Sequence, residues 1–518
     1  MNLSLPNRLL TGSFPADLWT LNVSSIDLSG NQLTGALPDT ITNTLALQKL
    51  DLSGNANIQG KVPSSLTSLA GVLSNLNLGS MSMSGGVINY HLLTSLTSID
   101  LSRNQLTGTI LPRLASLTVN LAHIDVSYNS FTGIFPNTLN NVPAKSIDIS
   151  HNAFTGGHAN IGSAGSLRPQ LTSLKVNHNS FTGNVPNNVG RLSLMVEYDL
   201  SSNQLGNLPN ALHLSAALVR LDASNNLCAN YQPNRLASLG THLTYLNLRN
   251  NSFSATPSAF LGSIGSLKFL DISDASFTGA LPASLASLTA LTTLAAASNQ
   301  LSGILPVGFG NYTSLQSLDL SNNLVSGPLP TGLSAAATSL TTLNLANNIF
   351  TGNVPTSYGS LTALVSMDLS GNSLTGAVDE ALCAVVGTST SPYDLSMCDL
   401  SGMTLTACNR TCETVLTNSP GGVDGACGVD QCIDCNGTWA AWSSCSSSCA
   451  GGTHTRSFVV STAASGGGTC PSNETQACNT GECPVDCVGS WTNFSRCSTT
   501  CGQGVATQSF VVSSPAQF

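Results

Sequence analysis

The stretch Ile26-Asp27-Leu28-Ser29-Gly30-Asn31-Gln32-Leu33-Thr34-Gly35 decides the fold, because the chain keeps repeating it. It returns as Ile99 to Gly108 and as Met367 to Gly376, with many copies between. Aligned on its asparagine, the phrase recurs sixteen times from Arg8 to Asn372, at spacings of 23 to 27 residues, most often 24. Thirteen copies keep the Asn; Arg8, Met81 and Ala275 replace it, and those turns are expected to be looser or locally distorted. A fixed period of this size is the signature of a stacked repeat architecture.

Each part of the phrase has a physical job. Two leucines spaced by one residue share a face of a short strand, and that face points into the coil. The Asn enters a turn just after the strand, where its amide can bond the backbone of neighbouring coils and satisfy groups that would otherwise be buried unpaired. Thr-Gly bends the chain again. The prolines that often follow (Pro38, Pro63, Pro136, Pro186, Pro282 and Pro355) keep the return leg out of regular helix. No single coil can bury its leucines alone, so stability comes from stacking.

The phrase resembles the plant-type leucine-rich repeat, whose consensus reads LxxLxxLxLxxNxLTGxIP, over about Leu3 to Thr375. The resemblance implies a curved repeat solenoid with short parallel strands on its concave face. It also implies binding rather than catalysis, in extracellular recognition modules, receptor ectodomains or inhibitors of secreted enzymes. Cys228 stands where the leucine after the Asn belongs, and reads as a small buried thiol filling that slot.

Charged residues are only 8% of the 518, and the net charge is -9. Nucleic-acid binding needs clustered basic residues, so that class is excluded. Hydrophobic residues are 41% and periodically placed, so the low charge is not a disorder signature. No run of about eighteen apolar residues could span a membrane. One cysteine precedes residue 380 and fifteen follow it, which reads as a disulfide framework in an oxidising compartment. Eight Asn-x-Ser/Thr triplets agree with export, among them Asn250, Asn311, Asn436 and Asn473. Met1 begins inside a repeat with no visible signal peptide, so the N-terminus is expected to be cut, and export rests on the cysteines.

The residue between the strand leucines is Asp in ten repeats, from Asp27 to Asp368, and each has a serine two positions on. This row reads either as an acidic ribbon for a cationic partner or weak calcium binding, or as repeat consensus that fixes strand register. Departures from the monotonous surface are better clues to a site. Arg103, Tyr128, His151 and His178 form a column just before the Asn on consecutive coils, with His123 and Lys175 beside it. Arg220, Tyr245, Arg249, Lys268 and Phe269 gather over three further coils. Arg and aromatic side chains are what interface hot spots favour, and the histidines would make binding sensitive to pH.

The tail carries a second repeat of period 52: Cys435, Trp439, Cys445, Cys449 and Gly452 reappear as Cys487, Trp491, Cys497, Cys501 and Gly504. Trp439-x-x-Trp442-x-x-Cys445-Ser446-Ser447-Ser448-Cys449 resembles the thrombospondin type 1 repeat. That resemblance implies the pairs Cys435–Cys470, Cys445–Cys478 and Cys449–Cys483. It also implies a thin three-stranded module with Trp and Arg stacked in layers. Trp439, Trp442 and Arg456 match those layers; Phe458 stands at the next Arg position, so the ladder is expected to be shorter. Trp439 fits the family's C-mannosylation acceptor, and Ser448 and Thr500 its O-fucosylation pattern. The second copy has Phe494 and Gln508 for Trp442 and Arg456, and reaches Phe518 with three of six cysteines, so the C-terminus is expected to be cut as well.

The expected organisation is a solenoid over 1–382 with an uncapped N-terminus and a degenerate closing repeat with a cysteine-rich cap or linker over 383–434. A thrombospondin type 1 repeat over 435–486 and a second, truncated one over 487–518 follow. Cys432-x-x-Cys435 lacks the second pair that a zinc or redox site needs. No catalytic motif, cofactor site or metal cluster is found. The expectation is a non-catalytic extracellular recognition or adhesion protein, secreted or at the cell surface, for protein or glycan ligands. The alternatives are a secreted-enzyme inhibitor, the ectodomain of a signalling receptor, and ice binding through Thr34, Thr107, Thr132, Thr155 and Thr182.

Overall fold

The computed structural model describes residues 2–39, 46–157, 170–187, 189, 192–209, 215–229, 242–306, 308–309, 312–376, 398–399, 404–405, 436–446, 452–462, 472–478, 488–492 and 508–514. The chain divides into two compact units, Met1–Leu301 and Ser302–Phe518.

In the first unit each phrase opens with a three-residue strand, from Asn2–Ser4 and Ser25–Asp27 to Phe269–Asp271 and Thr293–Ala295. Neighbouring coils pair in parallel without slip, so Ile26 faces Leu50 and Asp27 faces Asp51. Ile26, Leu28 and Leu33 are buried, as are their equivalents Ile99, Leu101 and Leu106. Each such side chain contributes about 1.5–3 kcal/mol when fully buried. Phenylalanines fill the slot after the Asn in Phe131, Phe154 and Phe181, and Phe154 and Phe181 stack at 6.4 Å.

The asparagines are the polar mortar between coils. Asn31 Oδ1 accepts the Arg8 and Leu10 amides at 2.9 and 3.0 Å, and its Nδ2 donates to the carbonyls of Leu5 and Leu28 at 2.9 and 2.8 Å. The same bridge recurs at Asn129, Asn152, Asn179, Asn203 and Asn226. Where Ala275 replaces the Asn, its own carbonyl accepts the Phe253 amide at 3.1 Å, so one inter-coil bond survives the substitution.

The Thr-Gly segments do more than bend the chain: they build a second parallel sheet. Nine strands of it run from Thr11–Ser13 to Gln204–Asn207. The glycine there takes a positive φ, and a Cβ on Gly156 would lie 2.8 Å from Ile134 Cγ2 of the preceding coil. Coils with no glycine just after the buried residue of that slot interrupt this sheet: those of Cys228 and Phe253 lie between Gln204–Asn207 and Thr278–Gly279. Cys228 is buried with a free thiol, as expected, and burial pushes that thiol up to about 12.

Proline opens the return legs. Pro63, Pro136 and Pro282 precede the 3-10 turns Ser64–Leu69, Asn137–Asn141 and Ala283–Ser287. Among the described residues the one α-helix is the single turn Leu111–Leu114.

In the second unit the same strands continue as Ser317–Asp319, Thr342–Asn344 and Ser366–Asp368. Cys398–Asp399 pairs in parallel with Met367 and Asp368, and Thr404–Leu405 with Thr375 and Gly376. Further on, antiparallel pairs form: Asn436–Trp439 with Phe458–Thr462, Gly452–Arg456 with Glu474–Cys478, and Val488–Trp491 with Phe510–Ser514.

Candidate functional site

The residue just before each ladder Asn adopts a left-handed backbone: φ is 54° at Arg103, 51° at Tyr128, 51° at His151 and 52° at His178. A non-glycine residue costs about 1–2 kcal/mol in that region. Inter-coil bonds hold it there, as from the Tyr128 amide to the Ser150 carbonyl and from the His151 amide to the Asn177 carbonyl, both 2.9 Å. Repeating one left-handed turn per coil aims successive side chains the same way. Arg103 Cζ lies 4.4 Å from the Tyr128 ring centroid, Tyr128 and His151 stack at 3.9 Å, and His151 and His178 at 4.0 Å. The column singled out in the sequence is therefore one continuous stack over four coils. Arg103, Tyr128 and His178 are exposed, and His151 is half-buried. Burial, then the neighbouring His178 and Arg103 charges, hold the His151 imidazole below its ordinary pKa.

His123 and Lys175 belong to the strands, not to this stack. His123 Nδ1 is 2.9 Å from Ser146 Oγ, and Lys175 Nζ pairs with Glu197 Oε2 at 3.0 Å. Burial alone lowers the Lys175 pKa, but Glu197, Asp148 and Asp199 outweigh it and hold the ammonium above its ordinary value.

The second cluster divides. Arg220, Tyr245 and Phe269 are the first strand residues of consecutive coils and face one another in register. Arg220 Cζ sits 3.5 Å from the Tyr245 centroid, and Tyr245 stacks on Phe269 at 4.3 Å. Asp222 anchors this stack: its Oδ2 accepts from Arg220 Nη2, the Tyr245 hydroxyl and Asn247 Nδ2, each at 3.2 Å. Glu197 Oε1 adds a longer contact to Arg220 Nε at 3.7 Å. Arg249 stands apart and pairs with Asp274 at 2.9 Å, and Lys268 is exposed beside the strand. The two stacks occupy different columns: the first ends at the coil of His178 and the second begins at that of Arg220, with the coil of Glu197–Asp199 between them.

The aspartate row between them is less free than an acidic ribbon requires. Each Ser amide closes back on the Asp Oδ1, and in most coils the hydroxyl does so too, as from Ser127 to Asp125 at 3.0 and 2.7 Å and from Ser150 to Asp148 at 3.0 and 2.6 Å. Burial holds the carboxyls of Asp100, Asp125, Asp199 and Asp271 above the ordinary range against these bonds. The motif is a strand-end lock that repeats with the coil. Among the described residues no group of three or more His, Cys, Asp or Glu could hold a metal ion.

In the cysteine-rich part, Cys445 and Cys478 are bonded, in the pairing that the resemblance implied. Burial alternates along Gly452–Arg456, which turns His454 and Arg456 inward. Arg456 Cζ lies between Trp439 and Trp442, at 4.5 and 4.6 Å from their centroids, and Glu474 Oε2 accepts from its Nε and Nη2 at 2.8 and 2.6 Å. Phe458 supplies no second Arg layer, but two further rings join the stack. His454 stacks on the far side of Trp442 at 4.2 Å, and Phe458 meets Trp439 edge-on at 5.2 Å. The residue two before Arg456 carried that signal. Asn250 and Asn473 are exposed, and Asn436 and Trp439 lie on one strand. Asn311, Cys435, Cys449, Cys470, Cys483, Ser448 and Thr500 lie outside the described residues, as do Cys432 and Phe494.

Models of two families match the chain: Leucine Rich Repeat over 22–44, 95–117, 120–142, 242–264, 314–336 and 339–361, and Thrombospondin type 1 domain over 437–483 and 489–518. Receptor-like protein 35 of Arabidopsis thaliana is 36% identical over 114 residues, 22% of this chain and 12% of that protein. Semaphorin-5A of Mus musculus is 43% identical over 89 residues, 16% of this chain and 8% of that protein. Spondin-1 of Gallus gallus is 36% identical over 83 residues, 15% of this chain and 10% of that protein. The plant peptide hormone receptor RGFR1 in complex with RGF2 superposes with a TM-score of 0.68 at 27% identity, over 74% of this chain and 61% of that one. The ectodomain of the Arabidopsis receptor kinase HAESA, in complex with an IDA peptide hormone, does so with 0.66 at 29%, over 73% and 63%. The chain thus spans about a tenth of the length of those curated relatives and less than two thirds of those ectodomains. It is a plant-type leucine-rich repeat solenoid joined to thrombospondin type 1 modules.

Proposed function

We propose that the chain is a non-catalytic extracellular recognition protein that binds a protein or glycan ligand through the strand side of its solenoid. One observation carries the reading. On a surface otherwise built of Ser, Asn and Asp, the stacks Arg103–Tyr128–His151–His178 and Arg220–Tyr245–Phe269 gather Arg and aromatic side chains on consecutive coils. Such pre-ordered, partly desolvated groups are what binding hot spots use. The disulfide between Cys445 and Cys478 fits an oxidising compartment. The solved relatives RGFR1 and HAESA are receptors described with peptide hormones, which supports a peptide ligand and favours, as a second reading, the ectodomain of a signalling receptor.

Ice binding is disfavoured by register. In the second sheet Thr132 faces Ala153, and Thr155 faces Ile134 and Ser180, so equivalent threonines are offset by two residues per coil.

A displayed peptide library panned on the full chain tests the proposal. Enriched peptides should lose binding to a Tyr128→Ala/His151→Ala variant or a Tyr245→Ala/Phe269→Ala variant. Peptides that keep full affinity for both variants would overturn it.

A further inference from the structure

We propose that the stack Arg103–Tyr128–His151–His178 and the parallel row Asp100–Asp125–Asp148 form one two-striped site for an extended peptide whose side chains alternate acidic and basic. This rests on the strand side being the ligand-bearing surface.

The two stripes come from one repeat. In each coil the aspartate is the last residue of the strand, and the stack residue follows three positions later in the left-handed turn. Parallel pairing keeps Asp100, Asp125 and Asp148 in line, while ring contacts of 4.4, 3.9 and 4.0 Å keep the stack in line beside them. The ring faces are used up on one another. What remains for a ligand is the outer edge of the stack: guanidinium N–H groups, a phenol O–H and two imidazoles. All can donate, and the guanidinium can grip a carboxylate with two bonds. On the other stripe, the serine bonds fall on Oδ1 of Asp125 and Asp148, and the Ser102 amide on Oδ1 of Asp100, which leaves each Oδ2 for a cationic partner.

An extended chain laid across the coils throws successive side chains to opposite edges. A sequence alternating acid and base would place every acid on the donor edge and every base on the aspartate row. A uniformly acidic polymer, peptide or polyuronate, gains on one stripe and is repelled along the other, which argues against an acidic polysaccharide. The row also has a built-in end. In the coil of His178 the aspartate becomes Lys175, held by Glu197 at 3.0 Å, so the acidic stripe spans three coils and the stack four. Four coils at about 4.8 Å hold roughly six extended residues.

The test uses the purified full chain and synthetic probes in calorimetric titration at neutral pH. The probes are an octapeptide of alternating glutamate and lysine, a block octapeptide with all its glutamates before all its lysines, octaglutamate and an oligogalacturonate. The alternating peptide is expected to bind about tenfold tighter than the other three, and Arg103→Glu to abolish that preference. Asp125→Asn/Asp148→Asn should weaken the alternating peptide and strengthen octaglutamate, an inversion that misfolding cannot produce. Equal binding of block and alternating peptides, tighter binding of octaglutamate or the uronate, or an Arg103→Glu variant that binds unchanged would overturn the proposal. So would library peptides that depend on Tyr128 and His151 but carry no alternating charge; that outcome would leave the proposed function standing.

Discussion

The Asn203→Ala substitution tests the inter-coil ladder directly. Asn203 is 8% exposed; its Oδ1 accepts the Phe181 amide at 3.0 Å, and its Nδ2 donates to the carbonyls of Val176, Leu200 and Ser201 at 3.1, 3.0 and 3.1 Å. All three carbonyls have other partners: the Val176 carbonyl also accepts Asn179 Nδ2, the Leu200 carbonyl Asn226 Nδ2, and the Ser201 carbonyl the His178 amide. The substitution therefore removes the acceptor of the Phe181 N–H and leaves each of the three carbonyls a partner. An unsatisfied buried group costs about 1–3 kcal/mol, and one such group sets the local cost. A repeat chain opens locally, so local opening is the most direct measure here. Native-state hydrogen exchange at the Phe181 amide reads the local opening energy. At about 1.4 kcal/mol per decade, its protection should fall by about one to two orders of magnitude. Ala275 sets the opposing case, since its own carbonyl takes over the Phe253 amide. If the Asn203→Ala chain relaxed the same way, protection at Phe181 would change less than about threefold, and the mortar argument would be refuted.

Gly156→Ala and Gly183→Ala separate strain from crowding. Both glycines have positive φ, +84° and +73°, but only the Cβ at 156 meets a neighbour, Ile134 Cγ2 at 2.8 Å. Backbone strain of about 1–2 kcal/mol is expected at both, with about 1 kcal/mol more at 156 from displaced packing; equal urea midpoints would remove the crowding argument. Burial raises the Asp125 carboxyl above its ordinary 3.8, so its contribution to stability is complete below 3.8 and is lost as pH rises through the folded value. Asp125→Asn should therefore flatten the fall in stability just above pH 3.8, followed as urea midpoints from about pH 4 to 7, and an unaltered slope would contradict the sign. Arg456→Ala should destabilise its module by about 2–4 kcal/mol, since two desolvated cation–π contacts are lost. Arg456→Lys should restore little, because an ammonium cannot lie flat between two indoles. Tryptophan fluorescence on urea unfolding reads both variants, and full recovery by lysine would show that charge alone matters.

Much of the solenoid is legible in one phrase, and the reason is local. Leucines two apart, an Asn in the turn and a proline after it each specify geometry within a few residues, and their recurrence forces stacking. The second sheet was harder to see. Thr-Gly reads as a bend in one coil and becomes a strand only when the next coil lies against it. The coils of Cys228 and Phe253 have no glycine at this bend, and there the second sheet is interrupted. The candidate site was half legible. The column Arg103 to His178 shows as bulky side chains in equivalent positions, but the left-handed turn that lets them stack does not show. Arg249 and Lys268 looked close to Arg220 in sequence, yet they sit in other positions of the coil and join no stack. His454 lies outside the Trp and Arg pattern, and only the alternating burial of its strand turns it onto Trp442.

By itself the sequence determined the number, order and orientation of the coils, the strand register and the identity of the cysteine-rich modules. Period and spacing are properties of the chain alone. Only the tertiary structure decided which side chains meet. Contacts between coils join residues about two dozen positions apart, and each depends on both coils taking the same turn. That shared turn makes Arg103, Tyr128, His151 and His178 one surface, ties Arg220 and Tyr245 to Asp222, and lets the serines close on the aspartates that looked like an open ribbon.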